Sequence, residues 1–319
     1  MVYADLDAFD TNINNCLFWR WTTYGAGKGN KAVLNKLVNC EEKKGRLQGR
    51  CYGTPWPTDP MKRKEHRAQF AVCYDTYTRI PKFTGHVLKP GVLEGARGLE
   101  GDYVFHADAS FGDPKTIAQH ADYNINLQNK PAIMPINYNS QGQQFCARGH
   151  LTPNGDFSDP LERERTYVTT NIAPQWQPFN GGNWAVLEQT IRKCATSTNL
   201  FVFTGTSGEA KDLNGATIWL NQRVLAPKYY WKAVCDPVKM QSIFFYAENN
   251  IGNVDKEKDN KNGCFKKPQT KKNGVIMCFS ISDAKQKNLF GKLPDFHDNC
   301  NPSKIGSIFK GRIDEANFS

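Results

Sequence analysis

Short runs of apolar residues, separated by polar turns, dominate the chain from about residue 200 onward. Phe201, Val202 and Phe203 form one such run, and it ends in Thr204-Gly205-Thr206, which is typical of a buried strand and its exit turn. Similar runs predict further strands at residues 216–220, 229–234, 243–247 and 274–279. Because few helices separate these strands, the pattern predicts an α+β fold with a central, mostly antiparallel sheet that is flanked by helices.

Residues 180–194 show the periodicity of a helix rather than of a strand. Trp184, Leu187 and Ile191 recur at helical spacing, which predicts a buried stripe. Glu188 and Arg192 are four residues apart, so they share a face. Two interpretations remain open here. Asn180 can be the N-cap residue and Glu188–Arg192 a surface ion pair, or all three can carry chemistry.

The first ninety residues form a distinct stretch of the sequence. They contain four cysteines and the aromatic cluster Phe18-Trp19-Arg20-Trp21. The cluster can stack on nucleic-acid bases or form the core of a cysteine-stapled unit, and we favour the core. We predict a cysteine-containing N-terminal region at residues 1–90, packed on a main domain at residues 91–319.

The ten cysteines are scattered along the chain, and no two of them form a Cys-x-x-Cys pair. This spacing argues against zinc ribbons and thioredoxin-like motifs and favours about five disulfides in a secreted protein. The alternative is a cytosolic protein with buried thiols. The start, Met1-Val2-Tyr3-Ala4-Asp5, is polar almost at once. We therefore expect a mature form whose leader has been removed.

Composition and charge narrow the function further. Hydrophobic residues make up 39 % of the 319 positions, enough for a substantial core, and no apolar run reaches membrane-spanning length. The chain is therefore not expected to have a membrane partner. The net charge of +10 favours a polyanionic partner such as nucleic acid. The oligomeric state stays open.

The segment from Cys146 to Arg192 carries the candidate chemistry. His150 is a natural general base near neutral pH, although a lone histidine is more often structural. The side-chain oxygen of Asn180 suits a hard cation, Glu188 suits water on that cation, and Arg192 suits a phosphate. Magnesium fits such a set, because it keeps several waters and takes few protein ligands. The set predicts metal-assisted phosphodiester cleavage.

At these residues the chain resembles the DNA/RNA non-specific endonuclease family, the ββα-metal or His-Me finger nucleases related to Serratia nuclease and endonuclease G. The resemblance rests on three motifs in order: Arg148-Gly149-His150, then Asn171-Ile172-Ala173-Pro174-Gln175, then Asn180 to Trp184 with Leu187-Glu188 and Arg192. It is marked from Cys146 to Arg192 and weaker over residues 90–300. The many cysteines look like the secreted arthropod branch, which includes crustacean nucleases that prefer double strands.

The resemblance implies a role for each motif residue. His150 would be the general base, and Asn180 the one direct protein ligand of Mg²⁺, for which Mn²⁺ can substitute. Glu188 would hold metal-bound water. Arg148 and Arg192 would contact the substrate phosphate. Asn171 would brace the site near the histidine. The implied activity is a secreted, extracellular endonuclease that hydrolyses DNA with little sequence specificity, with duplex DNA as the expected substrate and RNA as a further one.

One position departs from the family pattern. Ala147 stands where the family has an aspartate, which puts efficiency and local geometry in doubt. Two alternatives to a nuclease follow. The first is a catalytically impaired nucleic-acid-binding protein on the same fold, which Ala147 favours weakly and the retained His150 opposes. The second is a disulfide-rich module that binds another polyanion such as a glycosaminoglycan, which leaves the motif spacing unexplained.

Overall fold

The computed structural model describes residues 7–27, 29–41, 45–55, 66–92, 103–125, 128, 143–252, 263–265 and 269–307. Its strands in these ranges are β1 (Leu47–Pro55), β2 (His66–Asp75), β3 (Ile80–Leu88), β4 (Cys146–His150), β5 (Ile172–Trp176), β6 (Leu200–Ser207), β7 (Trp219–Leu220), β8 (Val224–Leu225), β9 (Tyr229–Asp236), β10 (Gln241–Glu248) and β11 (Met277–Phe279). The α-helices are α1 (Ile13–Cys16), α2 (Pro160–Arg165), α3 (Gln177–Phe179), α4 (Ala185–Cys194) and α5 (Ile281–Gln286).

A seven-stranded sheet forms the centre of the fold. Its strand order is β1-β2-β3-β6-β9-β10-β11, and every neighbouring pair is antiparallel. Two small antiparallel pairs, β4–β5 and β7–β8, lie outside it. The predicted α+β class with a mostly antiparallel sheet is confirmed.

Two predicted strands are shorter than their apolar runs. Residues 216–220 contribute only Trp219–Leu220, because the Asp212 carboxylate accepts hydrogen bonds from the amides of Asn214 and Ala216 and holds a turn there. Residues 274–279 contribute only Met277–Phe279. Gly274 has a φ of +88°, and the amide of Ile276 donates to a glutamine side chain rather than to a strand.

Both faces of the sheet are covered, and alternation along the strands divides the core between them. On β9, Tyr230 and Val234 face one cluster, which includes α4 and the β4–β5 pair. Trp231 and Ala233 face the other cluster, which includes α1 and α5. The sheet is therefore the middle of three layers. Lys232 lies on the α4 side, in line with Tyr230 and Val234.

The N-terminal aromatic cluster belongs mainly to the core on the α1 side. Phe18 and Trp21 are buried and pack against Phe203 of β6, whereas Trp19 is 44 % exposed. The favoured core interpretation therefore holds for two of the three rings. The division at residue 90 stays a prediction. Strands β1–β3 nevertheless belong to the same sheet as β6, because β3 pairs with it directly.

Disulfides join the N-terminal segment and the C-terminal turns to the sheet. Of the about five that we predicted, four are described: Cys16–Cys51, Cys40–Cys73, Cys235–Cys300 and Cys264–Cys278. Cys146 and Cys194 are both buried in the core on the α4 side. Within the described ranges, no helix has the length and apolar character needed to cross a membrane.

Candidate active site

The β4–β5 pair presents two of the predicted residues on one face. Arg148 and His150 are two positions apart on β4, so their side chains point the same way. Gly149 lies between them, under the side chain of Gln175. A Cβ atom at Gly149 would lie 2.3 Å from Oε1 and 2.6 Å from Cβ of that glutamine. Close approach of the two strands therefore explains the glycine in the motif.

His150 is held by aromatic rings and keeps one nitrogen available. Its ring lies 5.2 Å from Phe105 and 4.9 Å from Tyr167, measured between centroids. Its Nε2 atom is buried and has no hydrogen-bond partner among the described residues. Burial lowers the pKa of His150 to about 4. The imidazole is therefore neutral at pH 7 and can accept a proton.

Arg148 lies beside a second histidine that the sequence did not single out. Its Nη2 atom is 3.1 Å from Nε2 of His120, and its guanidinium lies 5.3 Å from the centre of the Phe105 ring. Its Nε atom is buried without a hydrogen-bond partner in the described part of the chain. Burial, and then the charge of Arg148, lower the pKa of His120. The guanidinium therefore keeps a donor for an anionic ligand.

Asn180 is not an N-cap residue. Its φ and ψ of −57° and −52° are helical, because the helical run already begins at Gln177. The turn Asn180–Trp184, which is kinked at Gly182, then leads into α4. Its Nδ2 atom donates to Oε1 of Gln177 at 3.2 Å. This bond uses only the amide nitrogen, so the amide oxygen is the atom that can bind a hard cation.

Glu188 and Arg192 lie on α4 as predicted, but they are not a solvent-exposed ion pair. Their side chains are only 16 % and 11 % exposed. Nη1 of Arg192 lies 2.9 Å from Oδ1 of Asp156. Oε1 of Glu188 lies 3.6 Å from Nζ of Lys232. Burial raises the pKa of Glu188, and the charges of Lys232 and Arg192 offset this only in part.

Asn171 is fully buried, and its side chain forms hydrogen bonds with the backbone. Its Oδ1 atom accepts from the amide of Thr152 at 3.0 Å, and Nδ2 donates to the carbonyls of Thr152 and Thr166 at 2.9 Å each. Thr152 is two residues beyond His150. The asparagine therefore fixes the path of the chain after the histidine, as a bracing residue would.

Sequence reasoning missed the charged residues that lie between β4 and α4. Oδ2 of Asp156 is 2.8 Å from Nε2 of His86, and its Oδ1 contacts Arg192. Lys232 approaches Glu188 from the sheet. One sequence signal could have found Lys232, which is the only basic residue of its largely apolar strand, whereas His86 shares its strand with Lys82. Their partners could not be read from that pattern, since both are far away in sequence.

The donor chemistry suits a hydrated divalent cation more than an all-protein metal cage. Within the described ranges, no group of three or more His, Cys, Asp or Glu side chains could hold a metal ion. The amide oxygen of Asn180 is an oxygen ligand of the kind that Mg²⁺ accepts, and such ions usually retain waters. Glu188 is a carboxylate that can hydrogen-bond to water.

A family model of DNA/RNA non-specific endonucleases matches residues 54–278. The chain belongs to this endonuclease family. The match spans every motif residue from Arg148 to Arg192, and it also includes β2, β3, β6, β9 and β10 of the central sheet.

Relatives within the endonuclease family include two insect proteins. A salivary endonuclease of Lutzomyia longipalpis is 29 % identical over 238 residues, which is 69 % of this chain and 54 % of the relative. One of Culex quinquefasciatus is 31 % identical over 112 residues, which is 34 % of this chain and 31 % of the relative. The expected arthropod kinship is confirmed. The chain therefore spans about half of the length of the first relative and less of the second.

Among solved structures, a chain in the crystal structure of the EndoG/EndoGI complex is similar at a TM-score of 0.42 and 21 % identity. The similarity covers 59 % of this chain and 75 % of that one.

Proposed function

We propose that this member of the endonuclease family hydrolyses phosphodiester bonds of nucleic acid with the help of Mg²⁺. The observation that carries the proposal is on β4. His150 and Arg148 each keep a buried nitrogen, Nε2 and Nε respectively, without a hydrogen-bond partner among the described residues. Buried polar atoms are nearly always satisfied, so two on one face of one strand indicate a ligand that pairs with both. A phosphodiester oxygen can accept from Nε of Arg148, and the attacking water can donate to Nε2 of the neutral His150.

His150 acts as the general base. Neutral at pH 7, its imidazole takes a proton from water, and the oxygen of that water attacks phosphorus. The phosphorus–oxygen bond to the leaving nucleoside then breaks, and the leaving oxygen takes a proton from solvent. The rings of Phe105 and Tyr167 fix the orientation of the imidazole. A fixed base loses less entropy on reaching the transition state than a mobile one.

The two arginines bind and orient the phosphate. Arg148 presents a guanidinium with an unused Nε donor on the same face as His150, and Arg192 is oriented by Asp156. Guanidinium groups match phosphate geometry and stay charged when partly buried. Asn180 would hold the cation through its amide oxygen, and Glu188 would hydrogen-bond to water beside it. A divalent cation held there would supply positive charge that stabilises the phosphate and the leaving oxygen.

DNA is the proposed substrate, duplex in preference, with RNA as a second. The net charge of +10 supports a polyanionic substrate. Binding should therefore weaken steeply as salt rises. Disulfides support a secreted, extracellular enzyme, as does the word salivary in the names of the two insect relatives.

A plasmid cleavage assay with Mg²⁺ or with EDTA tests the proposal. Wild type should degrade the plasmid only with Mg²⁺. His150→Ala should lose cleavage but still shift DNA on a native gel. His297→Ala is the matched control, because His297 caps a turn beside the core on the opposite face of the sheet, and it should cleave like wild type. Equal cleavage by His150→Ala would contradict the assignment of the base.

The second candidate function is a nucleic-acid-binding protein whose catalysis is impaired. Ala147 favours it, because this β4 residue stands beside Arg148 where the resembled family carries an aspartate. In that case wild type would shift DNA without cutting it, with or without Mg²⁺. Cleavage restored by Ala147→Asp would then identify the missing carboxylate as the cause.

A further inference from the structure

Lys232 is a charged residue at the centre of the sheet. It lies on β9, its residue exposure is 0 %, and its strand neighbours Trp231 and Ala233 are buried on the other face. Lysine is almost never fully buried unless it is paired, since removing an ammonium group from water is costly without compensating contacts. The contacts that its ammonium group makes therefore indicate what this lysine does.

The ammonium group of Lys232 joins parts of the chain that carry different site residues. Nζ donates to Oγ1 of Thr204 on β6 at 2.8 Å and to the backbone carbonyl of Leu151 at 3.2 Å. It lies 3.6 Å from Oε1 of Glu188 and 5.2 Å from the centre of the Trp184 ring. Leu151 directly follows His150, and Trp184 ends the kinked turn that begins at Asn180. One side chain thus contacts both halves of the site.

Two carboxylates and one guanidinium lie around this lysine. Glu188 and Arg192 approach from α4 and Asp156 from the turn after β4, and His86 on β3 contacts Asp156. Burial lowers the pKa of Lys232, while the charges of Glu188 and Asp156 act in the opposite direction. Without the ammonium group, Glu188 would keep only the charge of Arg192, whose guanidinium already pairs with Asp156. The position of Glu188 therefore depends on this lysine.

We propose that Lys232 is a positioning residue of the nuclease site, which holds the Glu188 carboxylate of α4 at a fixed place relative to the chain segment that follows His150. The inference rests on the proposed function. Lys232 does not contact substrate in this proposal, because Trp184, Leu151 and Thr204 cover it. It acts by fixing the position from which Glu188 hydrogen-bonds to water and the distance between β4 and α4.

The test compares Lys232→Met with wild type. Methionine has similar length and no charge. We expect kcat on plasmid DNA to fall at least 100-fold, while the affinity for DNA in EDTA stays within threefold. We also expect the acid limb of the kcat profile to move to higher pH, because Glu188 loses the cation that favours its ionised form. A lysine with a purely structural role would lower the melting temperature and leave this limb in place.

Thr204→Val and Thr206→Val form the second pair of variants, for the case that Lys232→Met does not fold. Thr204 accepts from Lys232. Thr206 lies two positions along the same strand and donates instead to the carbonyl of Pro81 at 2.7 Å. Each variant loses one buried hydrogen bond. We expect kcat to fall about tenfold more for Thr204→Val than for Thr206→Val.

Three outcomes separate the two proposals. Wild type that does not cut DNA overturns the proposed function. If wild type cuts DNA, either of two results overturns the positioning role alone. One is a kcat for Lys232→Met equal to that of wild type, and the other is the same kcat for Thr204→Val and Thr206→Val. Loss of kcat in Lys232→Met and Thr204→Val, with DNA affinity in EDTA unchanged, supports it.

Discussion

Replacement of Asp156 by asparagine would test whether the buried charges beside α4 hold the site together. Asp156 is 5 % exposed. Its Oδ1 is 2.9 Å from Nη1 of Arg192, and its Oδ2 is 2.8 Å from Nε2 of His86. Asparagine keeps the size and one acceptor oxygen, but it removes the negative charge. The guanidinium of Arg192, 11 % exposed, then loses this carboxylate.

The expected cost follows from the burial of the pair. Removal of one partner of a buried ion pair costs about 3–5 kcal/mol. Because asparagine can still accept one hydrogen bond, we expect a loss of about 3 kcal/mol in the free energy of unfolding at pH 7, the lower end of that range. Asp298→Asn is the matched control. This aspartate is exposed, so its replacement should change stability by no more than about 0.5 kcal/mol.

The effect of Asp156→Asn should also depend on pH. Burial alone would raise the pKa of Asp156, but the hydrogen bond and charge of His86, with Arg192 and Lys232, bring it below its usual value. A carboxyl group whose pKa is lowered by folding adds stability above its unfolded pKa. That stability is lost as the pH falls through the folded pKa. The difference in free energy of unfolding between wild type and Asp156→Asn should therefore be larger at pH 7 than at pH 3.

Urea unfolding in non-reducing buffer, followed by tryptophan fluorescence, measures these differences. Wild type, Asp156→Asn and Asp298→Asn would be compared at pH 7 and pH 3, with the free energies extrapolated to water. A cost for Asp156→Asn below about 1 kcal/mol at pH 7, the range of exposed ion pairs, would refute the reasoning. A cost that is the same at both pH values would refute the role of its charge.

Two further predictions concern the base and the disulfides. Because burial lowers the pKa of His150 to about 4, the acid limb of kcat/KM should lie below pH 6.5, and a pH–rate profile with a limb at or above 6.5 would contradict this. The Cys235–Cys300 disulfide closes a loop of 65 residues and Cys264–Cys278 one of 14. By the chain-entropy relation, replacing both cysteines of the first disulfide by alanine should lower the free energy of unfolding by about 4 kcal/mol, and the same change in the second by about 3 kcal/mol. Equal urea midpoints for the two variants would argue against loop length as the determinant.

The strands and the helix of the site could be predicted because their signals are local. Short apolar runs mark β6, β9 and β10, and these strands are buried along most of their length because both faces of the sheet are covered. Leu187 and Ile191 recur at helical spacing, and both are buried on α4. The motif residues could be named for the same reason, since their chemistry is carried by residue type and short spacing.

Where local signals were ambiguous, neighbouring elements decided the outcome. Asn180 has the composition of a cap, but α3 precedes it and makes it an internal helical residue. Glu188 and Arg192 have the spacing of a surface pair, but the sheet and the turn after β4 cover them. In each case packing against another element overrides the preference of the short segment.

The sequence by itself determined the class of fold, the antiparallel sheet and the residue types available for chemistry, because these depend on periodicity and spacing within short stretches. Only the tertiary structure decided which charges meet. Lys232 is 44 residues from Glu188 in the sequence, and His86 is 70 from Asp156. Such contacts arise when separate strands and helices pack into layers, and no local pattern specifies the partner of a buried charge.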